Sequence, residues 1–183
     1  MRITTLKAKG TDASYWMKKT PAERLEAVEF LRQQWMGPDH AEQRLQRVCE
    51  EHGVEYMIVG GYAVGVHGYP RYTGDLDTWL NPAPDIAMLA LKAIAAFGFS
   101  SFKLTVEDLT KEGNVIQFGQ PPLRIDLLTA IDGVQFGQCH ANRKEVIFDG
   151  LAMNFIGYHD LVKNKKASGR HKDLDDRENI SPT

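Results

Sequence analysis

Two aspartates one residue apart, Asp75 and Asp77, offer the clearest chemistry in this 183-residue chain. In an extended segment alternate side chains share a face, so both carboxylates project together while Leu76 turns toward the core. Confined together, they repel and raise the pKa of one member, and a divalent cation that takes oxygen ligands from both relieves the repulsion. A solvated structural pair is the competing reading. A third acid, Asp126, lies within the apolar run Leu123-Arg124-Ile125-Asp126-Leu127-Leu128, where an unpaired ionised carboxylate would be costly. Arg124, two residues away on the same face, offers it an ion pair. Alternatively, Asp126 meets Asp75 and Asp77 across a sheet, completing a three-carboxylate set suited to Mg²⁺, or Mn²⁺ in its place, and to phosphoryl transfer.

Gly60-Gly61 follows the apolar run Tyr56-Met57-Ile58-Val59. Phosphate approaches a backbone closely only where no β-carbon intrudes, and a helix beginning there presents N–H groups and a positive dipole. The pair also reads as a plain turn between strand and helix. Neither GxxxxGK[ST] nor GxGxxG occurs to compete for these residues. Arg71 and Thr73 fall in the loop before the acid pair, where a guanidinium can fork onto phosphate oxygens. Tyr62 either stacks on a base or packs. His67, alone on a mostly apolar helix, reads as a structural residue. A basic cluster, Lys163, Lys165, Lys166, Arg170 and Lys172, is followed at once by Asp173, Asp175 and Asp176, so these cations either face solvent, pair locally or supply a phosphate-binding patch.

The elements that must hold these groups are legible in the patterning. Thr20-Pro21-Ala22-Glu23 predicts a helix start, with Thr20 as N-cap and Glu23 closing a capping box. Leu25, Val28, Leu31 and Trp35 recur at helical spacing, and after Gly37-Pro38 a second helix runs through Leu45 and Val48 toward Gly53. A short strand-like stretch precedes this pair. Strands are predicted at Tyr56–Val59, Asp75–Leu80, Val115–Phe118, Leu123–Leu128, Glu145–Phe148 and Met153–Ile156, with helices over Ile86–Phe97, Tyr158–Ser168 and Lys172–Ile180. The alternation implies an α/β or α+β domain with helices at both ends. A hydrophobic content of 43%, a net charge of −2 and a pI near 6.3 place the chain among ordinary globular domains with no global attraction to nucleic acid or anionic membrane. Cys49 and Cys139 fit neither a disulfide framework nor a zinc set, and no signal peptide or bilayer-length apolar run is present, so a soluble cytoplasmic protein without a membrane partner is expected.

Val59-Gly60-Gly61-Tyr62-Ala63-Val64, then His67-Gly68, Arg71, Thr73 and Asp75-Leu76-Asp77, resembles the signature of DNA-polymerase-β-like nucleotidyltransferases. With the segment from Lys165 to Leu174, it is most similar to minimal nucleotidyltransferases of the AbiEii and toxin–antitoxin type. The resemblance covers about Val54 to Asp176. It implies a mixed, partly antiparallel sheet flanked by helices and Mg²⁺-dependent transfer of a nucleoside monophosphate from an NTP to an acceptor hydroxyl on a protein, a tRNA end or a small molecule. Asp75, Asp77 and Asp126 would be the catalytic metal ligands. Gly60, Gly61, Tyr62, Arg71, Thr73, Lys165 and Arg170 would contact the nucleotide. A cognate toxin or antitoxin partner and a role in phage defence are implied as well. On this reading residues 1–53 pack a helical pair against a nucleotidyltransferase core of residues 54–183. Two rivals stay open: a regulatory protein that keeps the fold without turnover, and a metal-dependent phosphohydrolase.

Overall fold

The computed structural model describes residues 11–36, 41–119 and 124–182. The expected opening strand-like stretch lies outside the described residues. At the N-terminal side, α1 (Thr11–Trp16), α2 (Pro21–Met36) and α3 (Ala41–Glu51) precede the first strand. The α2 start is capped as the sequence predicts: Glu23 N donates to Thr20 Oγ1 at 3.2 Å, and Thr20 N donates back to Glu23 Oε2 at 2.7 Å.

Six strands form one mixed sheet: β1 (Tyr56–Ile58), β2 (Asp75–Leu80), β3 (Val115–Phe118), β4 (Arg124–Leu128), β5 (Lys144–Phe148) and β6 (Leu151–Phe155). Their order across the sheet is β3-β4-β2-β1-β6-β5. The pairs β2–β4 and β1–β6 are parallel, and the remaining three are antiparallel. The alternation of strands and helices predicts an α/β or α+β domain, and the mixed, partly antiparallel, helix-flanked sheet is the one the resemblance implies. The β5–β6 hairpin turns through Asp149 and Gly150, both left-handed with φ of 49° and 74°, the backbone that lets a tight turn follow the strand twist.

Helix α4 (Gly60–Val66) connects β1 to β2, while α5 (Pro84–Ile94), ending in a wide turn through Phe99, and α6 (Val106–Thr110) lead from β2 to β3. After β4 come α7 (Phe136–Ala141), the β5–β6 hairpin, and the helices α8 (Tyr158–Ser168) and α9 (His171–Asn179). One apolar core runs through Leu25, Leu45, Tyr56, Val64, Leu76, Trp79, Leu127 and Phe155, so α2 and α3 share their buried surface with the sheet. Arg24 of α2 reinforces that junction by donating through Nη1 to the Val66 carbonyl at 2.6 Å. Among the described residues no helix is long and apolar enough to cross a membrane.

Candidate functional site

The parallel β2–β4 pairing sets Asp77 directly opposite Asp126, with Asp75 opposite Arg124. Leu76 between the two acids is fully buried, as the pleat requires. Each of Asp75, Asp77 and Asp126 presents a carboxylate oxygen within 4.8 Å of the other two. Burial first, then the neighbouring Asp75 and Asp126 charges, push the Asp77 carboxyl up to about 6.

Both readings of Asp126 hold at once. It joins the acidic set, and it also accepts from Arg124 Nε at 2.8 Å. The other end of that guanidinium, Nη2, reaches Asp75 Oδ2 at 2.8 Å. Gln117 Nε2, which faces Asp126 across β3–β4, adds contacts at 3.2 and 3.3 Å. Asp75 is oriented further by Thr73 Oγ1, which donates to its Oδ1 at 2.9 Å. Asp77 is the acid that no cation or donor clasps among the described residues. Three carboxylates against one guanidinium leave two negative charges, the charge of one divalent cation, so the donor set fits a hard metal ion with oxygen ligands.

The glycine pair is built around these groups. Gly60 is left-handed at φ 58°, and a β-carbon there would lie 1.8 Å from Asp77 Oδ2. At Gly61 a β-carbon would fall 2.5 Å from Thr73 Oγ1. Any side chain at either position would displace an acid or the threonine that orients one. Gly60 thus opens on the site, whereas Gly61 serves its packing.

A cleft of about 470 Å³ joins Gly60, Asp77 and Asp126 to Lys165, Ser168 and Arg170 on the far side. Lys165 is buried and donates to Asp173 Oδ1 at 2.6 Å, with Asp176 Oδ2 at 3.0 Å. Arg170 Nε donates to Asp173 Oδ2 at 2.5 Å, while its side chain stays 75% exposed and lines the cleft. Burial opposes ionisation of Asp173, yet hydrogen bonds from Lys165 and Arg170 hold it below the usual carboxylate range. Burial likewise opposes Asp176, and the hydrogen bond and charge of Arg71 bring it down.

Several expected nucleotide contacts are placed elsewhere. Arg71 forks onto Asp176 at 2.6 and 2.8 Å, pinning the loop before β2 to α9 instead of facing the cleft. Thr73 serves Asp75, as described. Tyr62 is buried and donates to Glu29 Oε1 of α2 at 2.6 Å, so its ring packs beneath the site and is not a base-stacking surface. His67, buried, bonds through Nε2 to the Ile156 carbonyl at 2.8 Å and stays out of the chemistry.

Sequence reasoning passed over Gln117, Asp132, Asn164 and Ser168, which contact Asp126 or line the cleft. Ser168 was findable, since it lies one helical turn from Lys165 on the same face. Gln117 becomes visible only once the β3–β4 register is known. No protein-family model and no curated protein matches the chain.

Proposed function

We propose that the chain is a metal-dependent nucleotidyltransferase that moves a nucleoside monophosphate from an NTP to an acceptor hydroxyl. The observation that carries this reading is the acidic set Asp75, Asp77 and Asp126, of which Asp77 and Asp126 line a cleft that Lys165 and Arg170 also line. A nucleotide spans those two poles, with its phosphates toward the cations and its reacting centre over the acids. The nucleotidyltransferase fold is part of the same proposal. A glycine turn, then an acid pair on the next strand, then a third acid on a parallel neighbour is the order of parts that supports it.

In this proposal Asp75, Asp77 and Asp126 hold Mg²⁺, which supplies charge neutralisation and lowers the pKa of the acceptor hydroxyl. Thr73 fixes the Asp75 carboxylate, and Gly60 leaves room for Asp77. Arg170 binds phosphate oxygens at the cleft mouth and steadies the charge of departing pyrophosphate. Asp126 receives the acceptor proton. Lys165 adds positive potential from within its aspartate cage.

The test is Mn²⁺ and NTP binding by calorimetry to the parent and to Asp75→Ala/Asp77→Ala. Transition-state contributions of several kcal/mol predict a loss of turnover of about 10³-fold or more, with cation binding abolished. Unchanged NTP and Mn²⁺ binding would sink the assignment.

One observation favours a second reading. Arg124 clasps two of the three carboxylates, as expected of a regulatory protein that keeps the fold and binds nucleotide without turnover, for instance as one member of a toxin–antitoxin pair. Pyrophosphate release separates the two, and release of free phosphate alone would indicate a phosphohydrolase.

A further inference from the structure

Among the described residues one cation touches the acidic set, Arg124. The β2–β4 register puts Arg124 opposite Asp75 and Asp126 opposite Asp77, and side chains two apart on a strand share a face, so the guanidinium projects among the carboxylates. Its Nε donates to Asp126 Oδ1 and its Nη2 to Asp75 Oδ2, each at 2.8 Å. One planar fork thereby joins two acids from different strands, as a shared metal ion would.

The carboxylate oxygens are unequally committed. Asp75 Oδ1 accepts from Thr73 Oγ1 at 2.9 Å, and Asp75 Oδ2 accepts from Arg124. Asp126 Oδ1 accepts from Arg124, and Gln117 Nε2 reaches Asp126 Oδ2 at 3.2 Å. Both acids therefore spend a lone pair of each oxygen on the protein and keep one free. The Asp77 carboxylate carries no hydrogen bond or ion pair among the described residues. Charge leads to the same count. Three carboxylates and one guanidinium leave two negative charges, which one divalent ion cancels, whereas a second ion would leave two positive charges in excess. Two-metal sites hold their ions about 3.5–4 Å apart between shared carboxylates, and here the guanidinium already bridges one such pair.

We propose that Arg124 stands in for the second cation of a two-metal site, so that the nucleotide-free protein takes a single divalent ion with Asp77 as its main ligand. Arg124 holds the count at one in two ways. Its charge opposes a second ion, and its fork occupies the Asp75 and Asp126 oxygens that such an ion would share. Arg124 is thus a positioning residue, acting on the metal ligands and not on the nucleotide. The proposal rests on the metal-binding part of the nucleotidyltransferase reading and gives that reading a definite metal count. It also gives the Arg124 clasp a role in a working site, where an ion pair that limits the metal does not exclude it.

The experiment counts Mn²⁺ on the full chain without nucleotide, by paramagnetic resonance of the unbound ion, in the parent, Arg124→Gln and Arg124→Lys. The parent is expected to take one ion per chain. Arg124→Gln removes the charge and is expected to take two, the first about tenfold more tightly because a like charge has gone. Arg124→Lys keeps the charge without the fork and is expected to stay at one. Where Arg124→Gln melts below the assay temperature, Arg124→Met replaces it, with the same outcome expected. Two ions on the parent or on Arg124→Lys, or a single ion on the neutral variant, overturns the proposal and leaves the nucleotidyltransferase reading standing. So does a first ion held about 10–100-fold more weakly by the neutral variant, the loss expected where a neighbour only orients metal ligands. Binding that appears only when NTP is added also overturns the proposal alone. No Mn²⁺ on the parent, with or without NTP, defeats the nucleotidyltransferase reading and the proposal together.

Discussion

At the acidic set one guanidinium serves two of three carboxylates and leaves Asp77 unpaired among the described residues, whereas on the α8–α9 wall two carboxylates receive three cations, Arg71, Lys165 and Arg170. The wall is a closed ion-pair cage whose charges satisfy one another. The acidic set is short of positive charge, and Asp77, the member without an ion-pair partner among the described residues, has its pKa pushed up to about 6 by burial and by the Asp75 and Asp126 charges. The difference separates charge balanced within the fold from charge left unbalanced, the state expected of a group that binds a ligand.

The sharpest way to break this contrast is to open the cage. Lys165→Ala leaves Asp173 and Asp176 buried with one cation fewer, and loss of one partner from a buried pair costs about 3–5 kcal/mol. Denaturant unfolding should show that loss, and a variant of parental stability would show that the cage does not hold the fold.

The acidic set should respond with the opposite sign. Asp77 has a folded pKa above its ordinary value of 3.8, so the folded chain holds a proton that the unfolded chain releases. Stability without metal therefore falls as pH rises from about 4 to about 6 and then levels. Asp77→Asn should flatten that slope and stabilise the metal-free protein at neutral pH by on the order of 1–3 kcal/mol, read from melts across pH. A variant that melts below the parent at pH 7 would mean that the acids are not in conflict.

Gly60→Ala joins both properties in one residue. Its β-carbon would overlap Asp77 Oδ2 and hold a left-handed backbone, so Mn²⁺ affinity should fall roughly 10–100-fold, as for groups that orient metal ligands. Paramagnetic resonance titration measures this, and retained affinity would show that Asp77 is dispensable. The smallest effect is expected at the exposed end of the cage. Arg170→Gln should cost under about 1 kcal/mol of stability but weaken NTP binding roughly 3–10-fold, whereas a purely structural Arg170 would leave NTP affinity unmoved.

What the sequence made legible follows the range of the interactions. Strands β2 and β3 and helix α8 were bounded correctly from alternation and breakers, because those signals are local. Helices α6 and α7 escaped notice, being single turns too short to show a period, although Thr105 and Asp108 form a capping box at the start of α6. The three acids were readable because a carboxylate within apolar sequence is conspicuous. The destinations of Arg71 and Tyr62 were not, since Asp176 and Glu29 lie far away in the chain and only the folded sheet brings them close. Lys165 was assigned to the cleft and does line it, but its two aspartate partners were visible only as a run of acids with no stated geometry.

The parallel pairing of β2 with β4 has a consequence for assembly. No hairpin can bring Asp77 to Asp126, because the chain must first travel through α5, α6 and β3. Pairing across so long an excursion is non-local and carries a loop-closure cost that a hairpin avoids. A cation that required all three acids would find no complete set of ligands before β4 docks on β2, so Mn²⁺ uptake during refolding would time that pairing.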